Sequence, residues 1–253
     1  MQSAPLVGTT SIEQADSKLS WMPAVVTCAM PPTIEHQPRI AALLGASGAT
    51  GQKLLPLLLG DPAYSKVITL SRRASGISHA KLENRIVEFE NLAAGLKGAT
   101  VDDCYCTFGT TLKIAGSQAA MTRIDHEYVL AFAKAGLEAG ATRFVYLSAA
   151  NANAQSPVFY ARLKGQTEET LKALGFADLD IFRPSMIVAE RADRRWAESM
   201  LFPLLPLLDK LLIGGFTKYR SIPVETLANA IAAFSGQRGT GCKTRVWQDM
   251  VYA

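Results

Sequence analysis

The sequence predicts an α/β fold built on a doubly wound, mainly parallel sheet, with a small C-terminal substrate-pocket region, and three observations predict it. Short apolar runs alternate with segments of helical spacing from Ile40 onward. A glycine-rich turn, "GASGATG" at 45–51, follows the first run directly and opens a helical segment. The length of 253 residues, with 49% hydrophobic and 19% charged, suits one α/β domain with a substantial core.

The elements are justified in chain order. Residues 1–37 hold no sustained period of 2 or 3.6 and read as an N-terminal extension, disordered or docked along the surface. Glu13 and Asp16 ahead of "WMPAVVTCAM" argue against a secretory signal, which starts with basic residues. Residues 38–253 form the expected domain. "RIAALLG", "KVITL", "RIVEF", "DDCYCTFG", "TRFVYLS" and "LDIFRPS" each read as a buried strand, too short for a helix. Thr50 to Leu59, Gln118 to Ala139 and Val158 to Leu174 read as the helices between them, with Pro56 expected to kink the first. "SIPVETLANAIAAFSG" adds a helix near 3.6 spacing, and "TRVWQ" adds an edge strand. Alternation of this kind builds βαβ units, whose right-handed crossovers cover both faces of a parallel sheet.

Composition removes several function classes. "MLFPLLPLLDKLLIGG" at 200–215 is the richest apolar stretch, but Pro203, Pro206, Asp209 and Lys210 interrupt it well short of the roughly 20 apolar residues that span a bilayer. A formal charge of +4, scattered without a basic run, gives no grip on nucleic acid. Of the four cysteines, Cys28, Cys104, Cys106 and Cys242, only the middle pair is close; i and i+2 share a strand face, and no histidine stands near enough for a zinc site. They read as reduced thiols of a cytoplasmic protein without a metal.

Gly45, Gly48 and Gly51 sit where a strand passes into a helix. There, the first glycine permits the tight reversal, the second lets a pyrophosphate approach the backbone, and the third allows helix to pack on strand. Ser47 and Thr50 add hydroxyl donors. About twenty residues beyond Gly51, where a carboxylate would bond the ribose of NAD(H), the chain carries Ser71, Arg72 and Arg73. Guanidinium donors there suit the 2′-phosphate of NADP(H). In "YLSAANANAQSPVFYARLKGQTEE", Ser148 ends the fifth strand, and Tyr160 and Lys164 share a helical face four residues apart. A nearby ammonium favours the phenolate of a tyrosine, so Lys164 would ready Tyr160 for proton transfer while Ser148 bonds a substrate oxygen.

These residues resemble the atypical short-chain dehydrogenase/reductases, in the group of human Tat-interacting protein 30 and its bacterial relatives. "GASGATG", "SRR", "CTFGTTLKIAGS", "DHEYVLAFAKAGLEAGATRFVYLSA", "FYARLKGQTEE", "FRPSMIVAERADRRWAE" and "IPVETLANAI" carry the likeness, which covers about residues 39 to 250. It implies a Rossmann fold binding NADP(H), with Gly45, Ser47, Gly48, Ala49, Thr50 and Gly51 at the pyrophosphate and Arg72 and Arg73 at the 2′-phosphate. It further implies Thr107, Gly109 and Thr110 beside a ribose, Ser148, Tyr160 and Lys164 as catalytic residues, and Pro184 to Ile187 along the nicotinamide carboxamide. Arg191, Arg194, Arg195, Trp196 and Lys218 would meet an anionic substrate or form a solvated helix start with surface ion pairs. The expected activity is NADP(H)-dependent oxidoreduction of an unidentified small carbonyl or hydroxyl compound. The alternative is an NADP(H)-sensing regulatory or interaction protein without turnover.

Overall fold

The structure is a computed structural model describing residues 38–188 and 214–253. The N-terminal extension, Arg191 to Trp196 and most of the Pro203/Pro206 stretch lie outside the described residues. The described chain runs β1 (Arg39–Leu44), α1 (Ala49–Gly60), β2 (Tyr64–Ser71), β3 (Leu82–Ile86), α2 (Leu92–Gly95), β4 (Asp103–Cys106), α3 (Leu112–Ala115) and α4 (Gln118–Thr122). A π-helical turn, Arg123–Glu127, leads into α5 (Tyr128–Glu138). There follow β5 (Arg143–Leu147), α6 (Phe159–Ala173), β6 (Asp178–Phe182), β7 (Ile187–Val188), β8 (Ile222–Pro223), α7 (Val224–Gly236), β9 (Gly241–Arg245) and α8 (Trp247–Val251).

The main sheet has the order β3-β2-β1-β4-β5-β6-β9, and each of its pairings is parallel. The order in which successive strands are added reverses between β1 and β4, which opens a crevice at the carboxyl ends of those parallel strands. Alternation along the strands feeds two apolar layers. Ala42, Leu44, Cys104, Cys106, Phe144 and Tyr146 face one side, under Phe132 of α5 and Leu171 of α6. Ala41, Leu43, Tyr105 and Val145 face the other, under Leu54 and Leu58 of α1 and Leu227 and Ile231 of α7. Each large side chain buried in this way stabilises the fold by roughly 1.5–3 kcal/mol before entropy is counted.

Charges are also built into this core. Arg143 of β5 is buried, with Nη2 2.7 Å from Asp180 Oδ2 and with its guanidinium donating to the carbonyls of Phe234 and Ser235 in the last turn of α7. A cation thus satisfies carbonyls that a helix C-terminus leaves without intrahelical donors. Asp103 of β4, also buried, accepts from Tyr64, Arg39 and Arg238 at 2.6 Å each.

Local differences from the sequence reading have physical causes. The third strand is Leu82–Ile86 rather than "RIVEF", because among the described residues β3 is an edge strand paired only with β2. Its residues are half-exposed, Ile86 being 65% exposed, and the apolar signal of Val87 and Phe89 belongs to the turn that folds back onto the core. Likewise the last strand is "GCKTR", and Trp247 begins α8 instead of ending a strand. Helix α1 runs through Pro56 without a break. Gln118 to Ala139 is not one α-helix, since the π turn inserts between α4 and α5. Cys104 and Cys106 do share a face, and with Cys242 are free thiols.

Candidate functional site

Gly45 ends β1 at φ +96°, a backbone conformation that a residue with a Cβ adopts only with strain. A Cβ there would also lie 2.7 Å from Phe108 N, so the chain after β1 and the chain after β4 touch at the crevice. Gly51 is excluded from carrying a side chain by the Gly45 carbonyl oxygen, where α1 packs against the turn. Gly48 is different. It is the N-cap of α1 in extended backbone (φ −75°, ψ 167°), and the nearest atom to an added Cβ is Gly45 O at 3.4 Å, an ordinary contact. Nothing among the described residues demands a glycine there. Helix α1 has no side-chain N-cap and no acidic residue in its first turn. Its first N–H groups therefore face an exposed, electropositive end made for an anion.

A cleft of about 640 Å³ opens from this turn along β2, lined by Gly45, Ser47, Ser71, Arg72, Arg73 and Asn84 among others. The Ser71 hydroxyl donates to the Arg73 carbonyl at 2.6 Å and so braces the turn that carries both arginines. Asn84 of β3 accepts from Thr69 at 2.8 Å. A neighbouring cleft of about 310 Å³ shares Arg72, Phe89 and Phe108 and adds Arg123 and Tyr128. Arg72 stacks over Phe89, 5.2 Å from the ring centroid, and Phe89 meets Phe108 edge-on at 4.8 Å. Sequence reasoning missed Asn84, Phe89, Phe108 and Arg123. Phe89, Phe108 and Arg123 lay in segments read as a strand, a strand end and a helix, "RIVEF", "CTFG" and Gln118 to Ala139, and Asn84 lay in none.

The chain after β4 links the cradle to the Tyr160–Lys164 helix. Thr107 Oγ1 reaches the Gly45 carbonyl at 3.3 Å. Thr110 N–H donates to Asp125 Oδ2 at 2.9 Å, and a Cβ at Gly109 would meet Asp125 Oδ1 at 3.0 Å and Lys164 Nζ at 3.6 Å. Lys164 is buried on α6, with Nζ 2.9 Å from Asp125 Oδ1 and 3.2 Å from the Tyr146 hydroxyl. Burial opposes its charge, but Tyr146, Asp125 and Tyr160 more than offset this, and the ammonium is held well above its ordinary range. Burial pushes the adjacent Cys106 thiol up to about 12, so it stays neutral beside the lysine. Tyr160, one turn before Lys164, is 38% exposed and faces solvent.

Ser148 sits at the end of β5 as its position in the sequence indicated, but its hydroxyl is directed elsewhere. It donates to Oε1 of the buried Glu168 at 2.5 Å, and Glu168 is also gripped by two nitrogens of Arg183. The proton expected to reach a substrate oxygen is committed to this carboxylate, which ties α6 to the ends of β5 and β6. Pro184 accepts from Ala150 N–H at 2.8 Å, and Ile187 begins β7, which pairs with β8. Lys218 lies in a short 3-10 helix, Gly214–Tyr219. Among the described residues no group of three His, Cys, Asp or Glu side chains is placed to hold a metal, and no helix is long and apolar enough to cross a membrane.

Comparison with known proteins places this geometry. Protein fmp52 of Aspergillus fumigatus is 35% identical over 217 residues, covering 81% of this chain and 92% of the relative. Protein HTATIP2 of Rattus norvegicus is 32% identical over 204 residues, covering 77% and 82%. The chain belongs to the atypical short-chain dehydrogenase/reductases. No family model matches it. Solved members of the wider short-chain dehydrogenase/reductase fold superpose on it. They include an oxidoreductase of Burkholderia thailandensis (TM-score 0.62, 18% identity, 86% of this chain and 94% of that one). Another is the Bordetella bronchiseptica enzyme WbmH in complex with NAD+ (TM-score 0.60, 18%, 83% and 75%). This short-chain dehydrogenase/reductase therefore has the NAD(P)-binding Rossmann fold that the glycine turn implied. The relatives also correct one expectation. The fungal fmp52 proteins are named as mitochondrial, against the cytoplasmic placement read from the cysteines. Free thiols do not choose among the reducing compartments of a cell.

Proposed function

We propose that the protein is an NADP(H)-dependent oxidoreductase acting on a small carbonyl or hydroxyl compound. One observation carries the reading: the ammonium of Lys164, buried and held charged, stands one helical turn from the solvent-facing phenol of Tyr160, on the strand-end side where the cradle opens. A buried charge is expensive to keep without a purpose, and a phenol needs such a neighbour to exchange protons near neutral pH.

The free backbone N–H groups from Ala49 to Gly51 would hold the pyrophosphate, the Gly48 N–H being donated to the Gly45 carbonyl at 3.0 Å, and Arg72 and Arg73 would hold the 2′-phosphate. The second cleft, walled by Phe89, Phe108 and Tyr128, takes the adenine. Thr107, Gly109 and Thr110 lie beside the riboses, and Pro184 to Ile187 pass the carboxamide. The nicotinamide, when bound, supplies or accepts the hydride. Tyr160 gives its phenolic proton to the carbonyl oxygen in reduction, or takes one from the hydroxyl in oxidation. Lys164 stabilises the phenolate formed in the first case and anchors the ribose. Ser148 fixes α6 through Glu168 rather than bonding the substrate.

Hydride transfer measured by NADPH absorbance across a panel of small aldehydes and ketones tests the reading. Tyr160→Phe should abolish turnover and leave NADPH affinity within about twofold, since the phenol acts on the proton and not on the phosphates. Unchanged turnover in that variant would refute it. The commitment of Ser148 to Glu168 favours a second reading, an NADP(H)-sensing interaction protein. NADPH binding without turnover, and a partner whose affinity changes with NADPH, would select it.

A further inference from the structure

We propose that Ser75 is a phosphorylation site for a serine kinase with an acidic substrate groove, and that its phosphate folds onto Arg72 and Arg73 and shuts the cleft to NADP(H). The inference goes beyond the oxidoreductase reading but rests on its assignment of those arginines to the 2′-phosphate.

The segment between β2 and β3 carries it. Residues 72–80, "RRASGISHA", are exposed at every position and hold no helix or strand. Among the described residues, no backbone–backbone hydrogen bond involves residues 72–78. A kinase takes its substrate as an extended chain, and a segment without backbone partners can be taken up without breaking the fold. Gly76, with φ +69°, turns the chain directly after Ser75, and a Cβ added at Gly76 would meet no atom within 4 Å. The space beside Ser75 is therefore open.

The neighbouring residues choose among the hydroxyls. Ser71 is half-buried at the end of β2 and donates to the Arg73 carbonyl at 2.6 Å, whereas Ser78 stands five and six residues beyond the arginines. Ser75 follows them by two and three positions, and no Asp or Glu interrupts residues 72–80. Paired guanidinium groups just ahead of an exposed hydroxyl suit a groove lined by carboxylates, since charge-assisted pairs of this kind set kinase–substrate choice. The Ser75 oxygen accepts the Ile77 N–H at 3.3 Å, and among the described residues its own proton has no acceptor.

The transfer is a simple exchange of bonds. The Ser75 oxygen bonds to the γ-phosphorus of a nucleoside triphosphate held by the kinase as the bond to the β-phosphate oxygen breaks; the nucleoside diphosphate leaves, and the hydroxyl proton passes to the base of the kinase. The product lands where it matters. Ser75 lines the same cleft of about 640 Å³ as Arg72, Arg73 and Ser47. Two and three residues of chain span at most about 7 and 11 Å, so both guanidinium groups can reach a phosphate on Ser75. That phosphate adds a charge of about −1.5 to −2 and acceptors for the same N–H donors that a 2′-phosphate needs. The modified side chain and NADP(H) then compete for one pair of arginines.

The test uses the full chain in two preparations. In the first, ATP and a purified serine kinase that selects arginine before its target are added, and mass spectrometry should find one phosphate at Ser75, absent in Ser75→Ala. In the second, phosphoserine is inserted at position 75 during synthesis. Isothermal titration of that chain should show NADPH bound about ten- to hundredfold more weakly than by the parent, the cost of a charge-assisted contact, and NADH within about threefold. Ser75→Ala should bind NADPH within about twofold of the parent. Phosphorus NMR without cofactor should place the second ionisation of the phosphate below its ordinary value of about 6, and Arg72→Ala with Arg73→Ala should bring it back. No incorporation at Ser75 overturns the proposal, as does an unchanged NADPH affinity, an equal loss for both dinucleotides, or an ordinary second ionisation. If the unmodified chain binds NADPH no more tightly than NADH, the 2′-phosphate assignment falls and the switch with it; the phosphorus titration, which needs no cofactor, tells that failure from a failure of the arginines to take the phosphate.

Discussion

Gly48→Ala separates a glycine kept for a ligand from one kept for the fold. The added methyl would sit 3.4 Å from Gly45 O, in ordinary contact, and the residue's φ of −75° and ψ of 167° suit alanine. Replacing glycine by alanine at an N-cap costs up to about 1 kcal/mol. Reduced freedom of the unfolded chain returns about 0.4–1 kcal/mol. The net change is within about 0.5 kcal/mol, and the Tm of a domain this size should move by no more than about 2 °C. The methyl would, however, stand where a pyrophosphate has to meet the α1 N-terminus. Losing one charge-assisted hydrogen bond costs about 1.5–3 kcal/mol, a ten- to hundredfold weaker Kd. At NADPH one hundred times the parent Kd, bound cofactor contributes about 2.7 kcal/mol to stability, a shift of about 5–11 °C. In Gly48→Ala the same concentration should contribute only about 0.4–1.4 kcal/mol, or about 1–6 °C. Differential scanning fluorimetry with and without NADPH reads both quantities. Gly51→Ala is the contrast, because its methyl collides with the Gly45 carbonyl and should destabilise the protein without ligand by about 1–3 kcal/mol. A Gly48→Ala variant that keeps the full NADPH shift would refute the cradle.

Two further expectations bear on the cofactor and on pH. Arg72→Ala and Arg73→Ala should each weaken NADPH about ten- to hundredfold while leaving NADH nearly unchanged, the cost of one charge-assisted phosphate contact. Isothermal titration with both dinucleotides checks this, and parallel losses for NADH would sink the 2′-phosphate assignment. His126 is pushed below its ordinary value by burial, with a smaller opposing effect from Glu127. The unfolded chain then binds the proton more tightly than the folded one. Stability is therefore fully present above about pH 6.5, falls as pH drops toward the folded value, and levels off below it. His126→Gln should flatten that portion of the Tm against pH curve between about pH 7.5 and 5, and an unchanged slope would show that another group carries it.

How far the fold was legible in the sequence depended on how each element is buried. β1, β4, β5 and β6 lie inside the sheet with both faces covered, so their apolar runs stand out. β3 pairs on one side only, and there the apolar signal slid onto the turn beyond it. Gly45 and Gly51 announced themselves because backbone contacts forbid side chains, and Arg72 and Arg73 because they follow a strand at a known distance. Tyr160 and Lys164 were visible as a helical pair. Asp125 was not, since "IDHEY" reads as an ordinary amphipathic helix, and the π turn takes that carboxylate out of the regular α-helical phase.

The same limit explains Ser148. A serine at a strand end can present its hydroxyl to a ligand or turn it into the protein, and only the position of Glu168, twenty residues on, decides between them. Lys164, Glu168 and Tyr160 share α6, each four residues from the next. Each of the two buried members is answered by a different element: Lys164 by the π turn, Glu168 by Arg183 after β6 and by Ser148 after β5. The helix is thereby fixed in rotation and in height by two ion pairs buried beneath it, and the residue left facing solvent at its first turn is the phenol. Rigid placement of one proton-exchanging group above two satisfied charges suits the proposed hydride transfer, because a misplacement of about 1 Å costs about a hundredfold in rate. A surface that served only to sense NADP(H) would need the cradle and the arginines, but not a solvent-facing phenol placed one helical turn from Lys164.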